Sequence, residues 1–238
     1  MRPNDCSAGI LPAVSGASRP RFGEVTIRDR GRLPHWELEG GVYFVTFRLA
    51  DSLPQSVVKS FVAERDDIVE TARRLGRDLS TSERKRLAEL FSERVESYLD
   101  AGKGSCHLAN PRVAGLVADA LRHFDGKRYR LFAWCIMPNH VHVVVKPFPN
   151  YSLAEVIHSW KPFTAKKANR VLERTGAFWQ REYYDHLVRG EEDLHRVVHY
   201  VLENPSRAKL KDWPWVWVCG QDARTTAGVP AGATTVSL

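Results

Sequence analysis

His140 and His142 stand one residue apart in the run MPNHVHVVV. In a strand the side-chain period is two, so both imidazoles point to one face and Val141 to the other. Neutral imidazoles sharing a face can hold a divalent cation. The turn-forming pair Pro138-Asn139 is predicted to start the strand and leave both rings at an accessible sheet end, with Val143, Val144 and Val145 anchoring them. An HxH pair also arises by chance in a chain with nine histidines, so this feature alone decides nothing. The second candidate is Tyr200 with Asn204 in HYVLENP. Residues four apart share a helix face, so a phenol and a carboxamide could address one point. Each also has an ordinary use, half-buried packing for the tyrosine and a C-terminal cap for an Asn before Pro. Tyr183 and Tyr184 are two further phenols, in an extended segment where neighbours point to opposite faces.

The elements that must position these groups are legible from periodicity. Gly41 to Leu49 is β-branched and aromatic, with Tyr43, Val45 and Phe47 on one face and Val42, Phe44 and Thr46 on the other, which predicts a strand covered on both sides. Residues 55–101 read as helical, interrupted near Gly76 to Leu79 and restarted by a capping box of Ser80 with Glu83. This charged stretch predicts a helical hairpin appended to the core. Pro111 to Phe124 reads as a core helix, and Tyr129 to Met137 with His140 to Lys146 as a strand pair. Residues 152–174 read as an amphipathic helix that Pro162 kinks or divides. Phe178 to Arg189 is extended, and Glu191 to Glu203 a helix stopped by Asn204-Pro205. Trp213, Trp215 and Trp217 are expected to close the core after it. The order predicts an α+β fold, an antiparallel sheet with helices on one face.

A third feature is a basic and aromatic block. Lys161, Lys166, Lys167, Arg170, Arg174, Arg181 and Arg189 are interleaved with Trp160, Phe163, Phe178, Trp179, Tyr183 and Tyr184. Cations for phosphates and aromatic planes for unstacked bases are what a single-strand groove needs. A basic helix packed by core aromatics would have the same composition. His158, His186, His195 and His199 are expected to be structural or solvent-facing.

Four motifs in order, MPNHVHVVV, HSWKPFTAKKANRVL, FWQREYYDHLVR and HYVLENPSRAKL, resemble the REP-associated tyrosine transposases, part of the HUH single-tyrosine transposases of bacterial insertion sequences. The likeness runs from about Gly31 to about Lys211. It implies a ferredoxin-like or RRM-like core and cleavage and rejoining of single-stranded DNA at palindromic hairpin repeats. His140 and His142 match the family's paired histidines, Tyr200 its nucleophile, and Asn204 the position that completes a site for Mg²⁺ or Mn²⁺. Tyr183 and Tyr184 compete with Tyr200 as nucleophile, but neither has a partner at the spacing the family uses, and Tyr184 ranks second. It also favours DNA contact by Lys161, Lys166, Lys167, Arg170, Arg181 and Arg189, and a monomer over a dimer. Segments rich in Gly, Ala, Ser, Thr and Pro with no apolar period predict flexible tails over 1–25 and 219–238 around a transposase domain over 26–218, whose helical insertion at about 55–101, like the tails, extends beyond the smallest family members.

The chemistry suits those roles. Two neutral imidazoles and a carboxamide leave a bound cation its full charge for polarising a phosphodiester. A phenol has an ordinary pKa near ~10, so its oxygen needs a nearby positive field or a base to attack phosphorus. Two rival readings are a non-catalytic hairpin DNA- or RNA-binding protein on the same fold and a hydrolase that activates water at the histidines.

Composition bounds the rest. In 238 residues, 35 Lys and Arg face 28 Asp and Glu, a net charge of +7 that favours a polyanionic partner. Four scattered cysteines without a CxxC pair argue against a zinc cage or disulfide framework and for a reducing cytoplasm, where DNA binding would place the protein at the nucleoid. No apolar run approaches the ~20 residues of a membrane span, and no secretory leader is expected.

Overall fold

The computed structural model describes residues 26–29, 34–80, 82, 83, 86, 99 and 101–220. The tail over 1–25 and most of the tail over 219–238 therefore lie outside the described residues, as does most of the second half of the helical arm. β1 (Thr26–Asp29) and β2 (Pro34–Glu37) form a separate antiparallel pair. The main sheet begins with β3 (Tyr43–Arg48), followed by α1 (Gln55–Arg74) and, after a 3₁₀ turn at His107–Ala109, by α2 (Pro111–Arg122). Then come β4 (Tyr129–Ile136), β5 (His140–Pro147), α3 (Leu153–Val171), β6 (Tyr184–Leu187), α4 (Glu191–Arg207) and β7 (Val216–Val218).

The sheet order is β6-β3-β5-β4-β7 with every neighbouring pair antiparallel. Omitting β7 and α4, the chain runs β3-α2-β4-β5-α3-β6 with the first and third of these strands central, the ferredoxin-like arrangement. The fold is therefore α+β.

The two faces of the sheet are covered by different helices. Tyr43, Val45, Phe47, Val141, Val143 and Val145 pack with Val113, Val117 and Leu121 of α2 and with Leu153, Ile157 and Trp160 of α3. Each large side chain of this kind contributes roughly 1.5–3 kcal/mol on burial. A satisfied polar chain crosses this layer: Trp160 Nε1 donates to Tyr129 Oη (2.9 Å), which donates to the Leu121 carbonyl (2.7 Å). On the opposite face Phe44, Ala133, Cys135 and Val144 meet Val197 and Val201 of α4. The expectation of helices on one face is corrected here, because alternation in β3 and β5 makes the second face equally apolar and α4 covers it.

Both helix-internal prolines are tolerated. α3 is one helix from Leu153 to Val171 with Pro162 inside it, begun by a capping box of Ser152 and Glu155. α4 likewise continues through Asn204-Pro205 to Arg207, with the Ala208 N–H closing on the Asn204 carbonyl at 3.0 Å. A proline in the last turn removes one donor and leaves the remaining ladder intact. At the arm, Ser80 and Glu83 form the expected reciprocal cap (Glu83 N–H to Ser80 Oγ, 3.2 Å; Ser80 N–H to Glu83 Oε2, 2.8 Å), and Arg86 donates back to Glu64 of α1 at 2.7 Å. β7 adds the fifth strand, with Trp217 stacked on Trp134 and Trp213 Nε1 donating to the Ile136 carbonyl. The tryptophans thus close the core as expected.

Candidate functional site

β5 carries His140 and His142 on the face that α4 covers, and the local register explains why they stay there. Arg48 of β3 pairs with His140 and Thr46 with His142, so cross-strand neighbours present polar atoms to both rings. The imidazole planes meet edge to face with centroids 4.6 Å apart, and the two Nε2 atoms are 2.9 Å apart. Each Nδ1 has its own partner: His140 Nδ1 lies 2.7 Å from Asn139 Oδ1, and His142 Nδ1 lies 2.8 Å from Thr46 Oγ1. Outer partners of this kind fix ring orientation and tautomer. Both rings are fully buried, which corrects the expectation of an accessible strand end. Burial, then the neighbouring His142 and Arg48, holds His140 well below the usual imidazole range. Burial, then Arg207, pushes His142 down to about 3. Both rings are accordingly neutral near pH 7 and able to ligate.

α4 brings the other two residues. Tyr200 meets His142 edge on at 5.4 Å between centroids and Phe44 at 5.7 Å, while Phe44 stacks on His142 at 5.4 Å. The Arg207 guanidinium lies 5.0 Å over the Tyr200 ring, a cation–π arrangement. Asn204 is wholly buried one turn on, and neither carboxamide atom has a hydrogen-bond partner among the described residues. A buried, unpartnered amide costs stability and calls for a ligand.

The donor set fits a divalent cation on that observation. Two nitrogens bound to one ion at ~2.1 Å along perpendicular directions stand about 3 Å apart, which is the separation of the two Nε2 atoms. Among the described residues there is no group of three or more His, Cys, Asp or Glu able to hold a metal.

The other sequence candidates distribute differently. Lys166, Lys167 and Arg170 are exposed on α3, on the sheet face opposite the histidines, and Arg181 and Arg189 are exposed on the segments flanking β6. Lys161 is committed internally: its ammonium donates to the Gln180 and Arg181 carbonyls, both at 2.7 Å, and burial lowers it to about 8, with Glu182 opposing and Arg48 assisting. Tyr183 packs into the α2–α3 layer and is removed from contention, whereas Tyr184 pairs with Thr46 and stays on the histidine face. His186 bonds Asp193 at 2.9 Å, and His195 and His199 pair with glutamates on α4's outer surface. A cavity of about 410 Å³ between α3 and residues 176–183 is lined by His158, Lys161, Phe178, Trp179, Arg181 and Tyr183, among others.

Sequence reasoning missed Thr46 and Arg48 and saw Asn139 only as a turn former. Thr46 and Arg48 stand out as polar residues in the otherwise apolar strand GVYFVTFRL, and that was the available signal for both.

Comparison with known proteins agrees with this geometry. Residues 112–204 match the model of the family described as transposase IS200 like. A Haemophilus influenzae protein named as a REP-associated tyrosine transposase is 28% identical over 103 residues, spanning 37% of this chain; the chain spans 57% of the length of that curated relative. Among solved structures, a REP-associated tyrosine transposase bound to a REP hairpin superposes with a TM-score of 0.42 at 14% identity, covering 85% of this chain and 97% of the other. A Deinococcus radiodurans transposase gives 0.34 at 13% identity, covering 75% and 98%. The structural likenesses are loose and the sequence matches carry the comparison. Residues 112–204, the stretch that matches the IS200-like transposase family model, hold the histidine pair, Tyr200 and Asn204, in keeping with what the resemblance of the motifs implied.

Proposed function

We propose that the protein is a metal-dependent single-strand DNA endonuclease and strand transferase acting at palindromic hairpin repeats through a covalent phosphotyrosine at Tyr200. The observation that carries this reading is the convergence of two neutral imidazoles, Nε2 to Nε2 at 2.9 Å, with the Tyr200 ring 5.4 Å from His142.

His140, His142 and Asn204 would hold Mg²⁺ or Mn²⁺. A cation held there would supply Lewis-acid polarisation of the scissile phosphate and offset the charge that develops on it. Tyr200 Oη forms a bond to phosphorus as the bond from phosphorus to the 3′ oxygen breaks. The phenol gives up its proton, the departing oxygen takes one, and the strand ends as a 5′-phosphotyrosine and a 3′-hydroxyl, so that a 3′-hydroxyl can later reverse the step. Arg207 contributes positive charge beside the ring. On this reading the protein acts as a monomer, the histidines and the tyrosine of one chain serving one site.

The test mixes protein, Mn²⁺ and a labelled hairpin oligonucleotide and looks for an SDS-stable protein–DNA adduct. The adduct forms with the wild type, fails in EDTA and is abolished by Tyr200→Phe, while Tyr184→Phe retains it. Hairpin binding that survives EDTA and Tyr200→Phe with no adduct would make the protein a non-catalytic binder. Cleavage without any adduct would make it a hydrolase.

A further inference from the structure

Asn139 lies outside the proposed ligand set, yet its side chain is fully buried and all its polar capacity is directed. Its Nδ2 donates to the Leu99 carbonyl at 3.1 Å and the Lys103 carbonyl at 3.0 Å. Both acceptors sit at the foot of the helical arm. That foot is held against the sheet: a Cβ on Gly104, whose φ is +90°, would come within 2.6 Å of the Asp51 carbonyl, and the Ser105 N–H donates to Asp51 Oδ2 at 2.9 Å.

The two carbonyls decide which way the carboxamide faces. Turned over, its oxygen would meet two acceptors; as it stands, its oxygen meets His140 Nδ1 at 2.7 Å. An acceptor there requires His140 to carry its proton on Nδ1, which leaves Nε2 as a lone pair. His142 is governed differently. Its Nδ1 faces a hydroxyl, which can donate or accept, so Thr46 permits either tautomer. With no metal bound, His142 Nε2–H donates to His140 Nε2 across the 2.9 Å gap. When a cation displaces that proton, His142 can carry it on Nδ1 towards Thr46.

We infer that Asn139 is a positioning residue: the arm's foot orients its carboxamide, and the carboxamide holds His140 with its Nε2 lone pair directed into the site. The role rests on the metal-site reading above but is tested separately from it. Backbone bonds hold the turn independently of this side chain: Leu49 N–H to the Asn139 carbonyl (2.9 Å), Leu108 N–H to the Pro138 carbonyl (3.0 Å), and Met137 N–H to the His140 carbonyl (2.8 Å).

The experiment records the ¹⁵N signatures of His140 in the metal-free full chain, then titrates Mn²⁺. In the wild type, His140 is expected as the Nδ1–H tautomer. Asn139→Ala is expected to give a mixture of tautomers and to weaken Mn²⁺ binding by about 10–100-fold. Asn139→Asp keeps the acceptor towards His140 and loses the donors towards Leu99 and Lys103, so it retains the Nδ1–H tautomer. A purely structural tether would make the two variants alike. An Nε2–H His140 in the wild type, an unchanged tautomer in Asn139→Ala, or its loss in Asn139→Asp overturns the inference. If Asn139→Ala does not fold, the Asn139→Asp spectrum decides alone. Failure of the wild type to bind Mn²⁺ removes the proposed function, and the metal-free tautomers still decide the role of Asn139.

Discussion

Asn204 shows how a residue suited to a ligand weakens the fold that carries it. Its carboxamide is buried, with neither polar atom bonded among the described residues, beside the apolar side chains that α4 turns to the sheet. Asn204→Leu keeps the volume and removes the unmet polar groups, so the metal-free protein should gain about 1–2 kcal/mol while hairpin cleavage falls. Chemical denaturation in EDTA beside the cleavage assay checks both signs, and a destabilised variant would refute the account. The buried imidazoles act in the opposite sense under acid. Their folded-state pKa values are depressed, so the stability they contribute is present above the unfolded value near ~6.5 and is lost as pH falls below it. The metal-free protein should lose up to about 1.4 kcal/mol per pH unit for each histidine between roughly pH 6.5 and 5.5, and a flat profile by urea titration would contradict this. The paired histidines and the Tyr200–Asn204 spacing were visible in sequence because strand and helix periods are local. The partners that orient the rings were not. Thr46 lies 96 residues from His142 and the Leu99 carbonyl 40 from Asn139, separations that only the assembled sheet closes.

At the scale of elements, α4 is held where Tyr200 can meet His142 by its N-terminal turn. Asp193 accepts from Arg196, from the Arg189 N–H and from His186 Nε2 of β6, joining helix to sheet edge. Burial works to raise this carboxyl, but the hydrogen bonds from Arg196, Arg189 and His186 outweigh it and bring it to about 2. Its contribution is therefore full above the unfolded value near ~3.9 and lost as pH falls towards 2. Asp193→Ala should cost about 1 kcal/mol after allowance for solvent screening, and amide exchange over residues 191–200 should quicken more than over β4 and β5. Equal protection across these elements would show that the contact does not hold the helix. Strands β3 to β5 and the starts of α2 to α4 were legible because their apolar periods are strong. One end was misjudged, at Pro205, where proline was given the weight of a breaker although it removes only one bond from a helix secured by packing; Pro162 does not divide α3. The second covered face was implied by the two-sided apolar pattern of β3, but no local signal named α4 as its cover.

Over the whole molecule, the exposed cations of α3 and the proposed chemistry occupy different faces. The histidine pair lies between the sheet and α4, whereas Lys166, Lys167 and Arg170 project from α3 on the other side. A hairpin touching both must pass a sheet edge, and the basic segment before β6 offers one route, with Arg181 exposed there and the Lys161 ammonium holding the backbone of Gln180 and Arg181. Composition showed that a polyanion would be favoured; the separation of the faces needed the three-dimensional order of the strands. It also makes the two contributions separable. If α3 lies on the DNA path, neutralising Lys166, Lys167 and Arg170 together removes up to three phosphate contacts on the face away from the histidines. The logarithm of hairpin affinity should then fall less steeply with the logarithm of salt concentration, the slope shrinking by about 2 to 3. Binding should weaken for every hairpin sequence alike, because phosphate contacts carry no base information. Adduct formation at saturating DNA should keep its wild-type rate, since none of the three touches the histidine face. Fluorescence anisotropy across a salt series, with single-turnover trapping at the same concentrations, measures the three quantities. An unchanged slope would remove α3 from the DNA path, and a slowed adduct step at saturation would mean that this face reaches the reacting centre after all.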